Sequence, residues 1–137
     1  MVVYDNAATL HRCMEQLFDW AFEAEGVSDN LRASGMAFKF HLTDPDTTIF
    51  INLVDAQVKF GDNPNIAADV DFYLTADTAH RFWLGQINVP LAVAKGSIKV
   101  TGSKAKTLML APLMAPLSGK YIEILHAAVG DVALVEN

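Results

Sequence analysis

The sequence predicts an α+β fold, with a five-stranded, mostly antiparallel sheet and helices covering one of its faces. Five short segments alternate apolar and polar residues, the period of two that a half-buried strand requires. The opening segment and the last third instead place apolar residues at helical spacing. Strands with one apolar face make a sheet that is wet on one side and covered by helices on the other.

The first helix is expected over Asn6–Glu25, capped by Asp5 or Asn6 and closed by Gly26. Leu10, Cys13, Leu17 and Ala21 share one face, which Met14 and Phe18 widen. Ser28–Arg32 suits a short helical turn before Gly35. Met36, Phe38, Phe40 and Leu42 then alternate with Ala37, Lys39, His41 and Thr43, the clearest strand in the chain. Asp44-Pro45-Asp46 is a turn, and Ile49, Ile51 and Leu53 alternate with polar or outward neighbours to complete a hairpin. Asp55 and Ala56 connect to a short strand, Gln57–Phe60, and Gly61–Asn65 is a loop. Val70, Phe72 and Leu74 alternate with Asp69, Asp71 and Tyr73 as a fourth strand.

The stretch Thr75–Leu117 is the most regular. Thr75 or Asp77 caps a short helix that Gly85 ends. Pro90 fits the first turn of the next helix, and Gly96 stops it. Ser97–Thr101 alternates as the fifth strand, Gly102-Ser103 turns the chain, and Ser103 caps a further helix from about Lys104. The order is helix, helix, strand, helix.

That order resembles the SCP2 family of sterol-carrier and non-specific lipid-transfer domains. Asp77, Phe82, Leu84 and Gly85 carry the resemblance, with Ala92 and then Gly96-Ser97-Ile98-Lys99-Val100-Thr101-Gly102-Ser103. The chain departs from the family pattern at Ser97, where lysine is common, and at Ser103, where aspartate or asparagine is common. Lys95 replaces a frequent glutamine or small residue, and Pro90 lies one residue nearer the glycine. The resemblance implies an apolar tunnel between sheet and helices that holds a fatty acid, fatty acyl-CoA, phospholipid or sterol.

Length and composition fit one domain over residues 1–137, with 52% hydrophobic residues arguing for a well-buried fold. The apolar run Leu108–Leu117 is half of what a membrane span needs and is interrupted by Pro112 and Pro116. The first residues lack the basic-then-apolar order of a signal peptide, and Val135-Glu136-Asn137 is no peroxisomal address. The single Cys13 suits a reducing compartment, so a cytoplasmic location is the default expectation.

The net charge of −6 is unevenly placed. Residues 1–77 hold 13 acids and 4 bases, whereas residues 78–122 hold Arg81, Lys95, Lys99, Lys104, Lys106 and Lys120 and no acid. An acidic whole argues against nucleic-acid binding, which rests on neutralising phosphates. The basic third either attracts an anionic head group or membrane surface or simply solubilises an apolar segment.

Nothing in the pattern points to catalysis, metal or cofactor. His11, His41, His80 and His126 stand apart, without metal-ligand spacing. His80 and Asp77, three apart, fit a helix-surface contact better than a catalytic dyad. Asp69 and Asp71 fit a soluble sheet face, Cys13 an ordinary buried thiol, and Ser118-Gly119 lacks the surroundings of a nucleophile elbow. Gly96 and Gly102 flank a strand instead of opening a helix as a phosphate loop would.

The run Leu108–Leu117 is apolar on every side, so something is expected to cover its outer face. The candidates are the segment Tyr121–Val135, with Ile122, Leu125, Ala128 and Val129 at helical spacing, a second subunit, a membrane, or a bound apolar ligand. A filled core and a ligand cavity are equally supported by the residues alone, and the resemblance favours the cavity. The expected lining is Phe82, Leu84, Leu91, Ile98, Val100, Leu108, Met109, Leu113, Met114, Leu117, Ile122 and Leu125. The head-group candidates are Lys99, Lys104 and Lys106. The expected function is lipid binding and transport without bond chemistry. The alternative is an accessory protein that holds an isoprenoid or quinone-like intermediate for a biosynthetic enzyme. A homodimer and an enzyme partner both remain open.

Overall fold

The computed structural model describes residues 6–61 and 66–129. Helix α1, Ala7–Ala21, is capped by Asn6, whose side chain accepts from the Thr9 N–H; Asp5, the other expected cap, lies outside the described residues. Leu10, Cys13, Met14, Leu17, Phe18 and Ala21 are buried on one face, as the spacing predicts. The helix stops four residues short of Glu25 because the buried stripe runs out: Glu23 and Glu25 are exposed. A short helix α2, Ser28–Ala33, buries Leu31.

The sheet comprises β1, Ala37–Thr43; β2, Thr47–Asn52; β3, Gln57–Phe60; β4, Val70–Thr75; and β5, Lys99–Gly102. The strand order is β3-β2-β1-β4-β5, and only the central β1–β4 pair is parallel. The register sets Phe40 opposite both Ile49 and Phe72, and Phe72 opposite Val100, so one face is continuously apolar. The loop read over Gly61–Asn65 falls at residues 62–65 outside the described residues.

The opposite face is less wet than the alternation suggests. Phe50 is 4% exposed and Lys39 8% exposed there, because Phe50 stands in register between Lys39 and Lys59 and long lysine stems cover apolar surface. The His41 and Tyr73 rings stack 4.4 Å apart, and His41 Nε2 lies 2.8 Å from Asp71 Oδ1.

Thr75 caps α3, Ala76–Trp83, and Asn88 caps α4, Val89–Lys95, with Pro90 in its first turn. Gly96 closes α4 in the left-handed conformation (φ 81°), which lets the Ser97 and Ile98 N–H groups donate back to Ala92 O. Those bonds delay β5 to Lys99, two residues later than expected. Ser103 caps α5, Lys104–Met114, which contains Pro112. A 3₁₀ turn at Ala115–Leu117, with Pro116 in it, joins α5 to α6, Ser118–Val129. The prolines thus tighten the helical run without ending it.

The helices cover the apolar sheet face. Phe40 meets Phe72 at 5.4 Å and Trp83 at 5.8 Å, and Phe82 meets Trp83 at 5.1 Å between ring centroids. His80, expected on a helix surface, is buried instead, and its Nδ1 shares a 2.8 Å hydrogen bond with the hydroxyl of Tyr121.

Helix α6 does not cover α5. It packs against α1, burying Tyr121, Ile124 and Leu125, while Ile122 is half-buried and Ala128 exposed. Among the described residues, the 3₁₀ turn directs α6 inward, and Leu108, Met109 and Pro112 on the outer face of α5 are exposed. Residues 130–135 of the expected segment lie outside the described residues.

Candidate functional site

The aromatic packing between sheet and helices leaves a void of about 10 Å³, bordered by Met14, Phe40, Ile49, Ala79, His80 and Trp83. That is room for roughly one water molecule. Larger apolar spaces flank α5. One groove of about 380 Å³ runs between α4, β5 and α5, along Pro90, Val93, Val100, Thr107 and Leu108, with Lys104 at its edge. Another of about 460 Å³ lies between α2 and α5, along Val27, Ala33, Met109, Pro112 and Leu113.

Local sequence builds the first groove. Val100 presents its side chain to the helix layer because Lys99 and Thr101, its neighbours along the strand, point the other way. Gly102 lies against the Asp69 backbone at φ 109°, where an added Cβ would fall inside contact distance of Asp69 O. The close approach lets Ser103 N–H donate to Asp69 O at 3.0 Å, and this fixes where α5 starts. Thr107 is satisfied internally, its hydroxyl donating to Ser103 O at 2.8 Å. The groove wall is thus apolar, with one cation.

The expected lining residues divide four ways. Val100 and Leu108 line the α4–β5–α5 groove, and Met109 and Leu113 line the α2–α5 groove. Phe82, Ile98, Met114, Leu117 and Leu125 are buried in the core, whereas Leu84 and Ile122 are half-buried. Leu91 is exposed on the outer side of α4. Val89, Pro90, Val93 and Thr107 also line the first groove and lie outside the expected set. The position of Val93 four residues after Val89 is the helical signal that indicates their shared side.

The three head-group lysines also separate. Lys104 borders the first groove. Lys99 stands opposite Tyr73 on the far face of the sheet. Lys106 is engaged within the fold: its Nζ lies 3.1 Å from Asp69 Oδ1 and donates to Gly35 O at 3.3 Å. Asp69 Oδ2 accepts from Ala37 N–H at 2.8 Å, and this bond, with Lys106 reinforcing it against partial desolvation, holds the carboxyl below its ordinary pKa. Burial likewise lowers the pKa of His11, whose ring stacks on Phe60. Among the described residues, no three His, Cys, Asp or Glu side chains assemble as a metal site.

Several solved structures share this architecture. The sterol carrier protein domain 2 of Helicoverpa armigera matches with a TM-score of 0.62 and 22% identity, over 81% of this chain and 89% of that one. The UbiJ-SCP2 ubiquinone synthesis protein matches with a TM-score of 0.62 and 13% identity, over 82% and 93%. The sec-alkylsulfatase Pisa1 from Pseudomonas sp. matches with a TM-score of 0.55 and 24% identity, over 63% of this chain, which spans only 14% of that enzyme. At these identities the likeness shows the fold alone. No curated protein matches the chain. The model of the SCP-2 sterol transfer family matches residues 19–115, from within α1 to the start of the 3₁₀ turn, and the chain belongs to that family.

Proposed function

We propose that this protein binds an apolar ligand of the fatty acid, fatty acyl-CoA, phospholipid or sterol class in the α4–β5–α5 groove, and carries or presents it without bond chemistry. The observation that carries the reading is the groove itself: about 380 Å³, walled by Pro90, Val93, Val100 and Leu108, with one cation at its edge. This lies within the range of small-molecule sites. Each methylene taken out of water contributes about 0.8 kcal/mol, so ten give a gross ~8 kcal/mol before the costs of association. The groove reaches Val89, which lines it and is itself buried. The groove's polar side chains, Lys104 and Thr107, suit ligand orientation and form no nucleophile–base pair.

Titration with a fluorescent fatty acid tests the reading. A single saturable site, competed by unlabelled lipid and weakened by Leu108→Asn, is the expected result. No binding across a broad lipid panel, with the fold intact by circular dichroism, would sink it.

A second reading is an accessory protein that holds an isoprenoid or quinone-like intermediate for a partner enzyme. The fold shared with the UbiJ-SCP2 ubiquinone synthesis protein favours it. It differs from the carrier reading in predicting slow lipid exchange with vesicles and a stable protein partner.

A further inference from the structure

The sheet ends in an open edge at β3, the strand farthest from β5 and the α4–β5–α5 groove. Gly61 N–H donates to Thr48 O at 2.9 Å, so Gly61 and Thr48 form a hydrogen-bonded pair of the antiparallel ladder. Such pairs alternate along a ladder. Lys59 and Gln57 therefore turn their backbone groups towards β2, and Val58 and Phe60 turn theirs outwards. The other side of β2 agrees: Leu53 N–H donates to Met36 O at 3.0 Å, which assigns the backbone groups of Ile51 and Ile49 to β1. Among the described residues, nothing pairs with the N–H and C=O groups of Val58 and Phe60.

A groove of about 530 Å³ runs beside this edge, between β3 and α1. Val58 and Phe60 of β3 and Phe22 of α1 give it apolar surface, and the exposed carboxylates of Glu15 and Asp19 stand on its helix wall. The stacking of His11 on Phe60, with 4.2 Å between ring centroids, holds α1 against the strand. Neither carboxylate is in an ion pair among the described residues. Lys59 also borders the groove but stands opposite Phe50, on the other face of the sheet, and Arg12 is exposed one turn before Glu15. Exposed Glu23 and Asp55 adjoin the lining residues Phe22 and Ala56 in the chain.

We propose that the β3–α1 groove is a docking site for an extended, lysine- or arginine-bearing peptide segment of a partner protein, which joins the sheet as an added strand beside β3. The outward N–H and C=O groups of Val58 and Phe60 supply the backbone pairing, which any extended chain can use. Selectivity comes from the groove. Side chains of a strand alternate between the two faces of a sheet, so every second one enters the groove. There an aliphatic stem covers Phe22, Val58 and Phe60 while its cationic head reaches Glu15 or Asp19. These carboxylates are one helical turn apart, about 6 Å along the axis, close to the ~6.7 Å between alternate residues of a strand. An acidic peptide meets like charge here, since residues 1–77 hold 13 acids and 4 bases. The proposal does not rest on lipid binding, because the α4–β5–α5 groove lies at the opposite edge of the sheet.

The test is fluorescence-anisotropy titration of the full chain with a labelled hexapeptide of alternating lysine and valine, and with its glutamate–valine counterpart. The lysine peptide is expected to saturate one site per chain, and the glutamate peptide to bind about tenfold more weakly or worse. Glu15→Gln combined with Asp19→Asn, both exposed positions, is expected to lower affinity for the lysine peptide about fivefold. Asp29→Asn combined with Glu123→Gln, the same charge change away from the groove, should alter it by less than about twofold at ordinary salt. Amide hydrogen exchange read by NMR supplies the backbone evidence: the Val58 and Phe60 amides should slow about tenfold or more when the peptide saturates. No binding of the lysine peptide, equal binding of the two peptides, equal loss in both variant pairs, or unslowed Val58 and Phe60 amides at saturation overturns the proposal. A chain that is dimeric before any peptide is added, with those two amides already protected and released on dilution, also overturns it and assigns the edge to a second copy.

Discussion

Lys106 Nζ reaches Asp69 Oδ1 at 3.1 Å, so the first turn of α5 is tied to the residue before β4, and through Asp69 to the N–H of Ala37 in β1. The tie closes the sheet's central parallel pair at the end where α5 begins. Lys106 is thereby engaged within the fold. Asp69→Ala is expected to destabilise by about 1–2 kcal/mol, since the Ala37 N–H loses its acceptor. Lys106→Gln should cost less, about 0–1 kcal/mol for a pair this exposed. Urea unfolding of the two variants checks the order, and equal costs would contradict it.

Of the three candidate lysines, only Lys104 borders the groove. Lys104→Gln is expected to weaken binding of a fatty acid by about 0.5–1 kcal/mol, to leave its neutral alcohol analogue unaffected, and to lose this difference at high salt. Lys99→Gln is expected to change neither ligand, as its side chain is on the other face of the sheet. Paired titrations of acid and alcohol decide between them.

Gly102→Ala should be among the most damaging single-methyl changes in the chain. The residue sits at φ 109° with the Asp69 carbonyl against the place a Cβ would occupy. A cost on the order of 3 kcal/mol is expected, measured by thermal or denaturant unfolding. Gly26→Ala, at φ 81° with open space around it, is the milder comparison.

The sequence was most informative where backbone chemistry is local. The alternation at Phe38, Phe40 and Leu42 located β1, and the Gly96 and Gly102 pair marked both ends of the β5 segment. The apolar excess of Leu108–Leu117 was visible too, but composition does not tell which side of a helix meets a neighbour. That depends on where the 3₁₀ turn aims α6, a consequence of tertiary packing against α1. The partners of Lys106 and His80, 37 and 41 residues away at Asp69 and Tyr121, are equally non-local.

Tyr121→Phe is expected to cost about 1 kcal/mol through the lost bond to buried His80. Truncation after Gly119 is more severe, because Tyr121, Ile124 and Leu125 leave the core. That protein should fail to fold cooperatively, rather than merely lose lipid affinity. A cooperative transition of unchanged midpoint in the truncated chain would contradict the placement of α6.

Acidification should destabilise the protein in two steps. His11 has its pKa lowered by burial, so its contribution is present above the unfolded imidazole value and is lost as pH falls through the lower folded value. Asp69 follows at lower pH by the same sign, since its folded carboxyl also lies below its unfolded value. Unfolding free energies against pH should show the first step missing in His11→Gln and the second in Asp69→Asn.

Native mass spectrometry of the protein as purified tests the central claim most directly. The account predicts a chain carrying a single added mass of lipid size, released on collisional activation and identifiable as an acyl, isoprenoid or sterol compound. A chain found only at its own mass, both as purified and after incubation with excess fatty acid under conditions that keep it folded, would contradict the assignment of lipid binding to this fold.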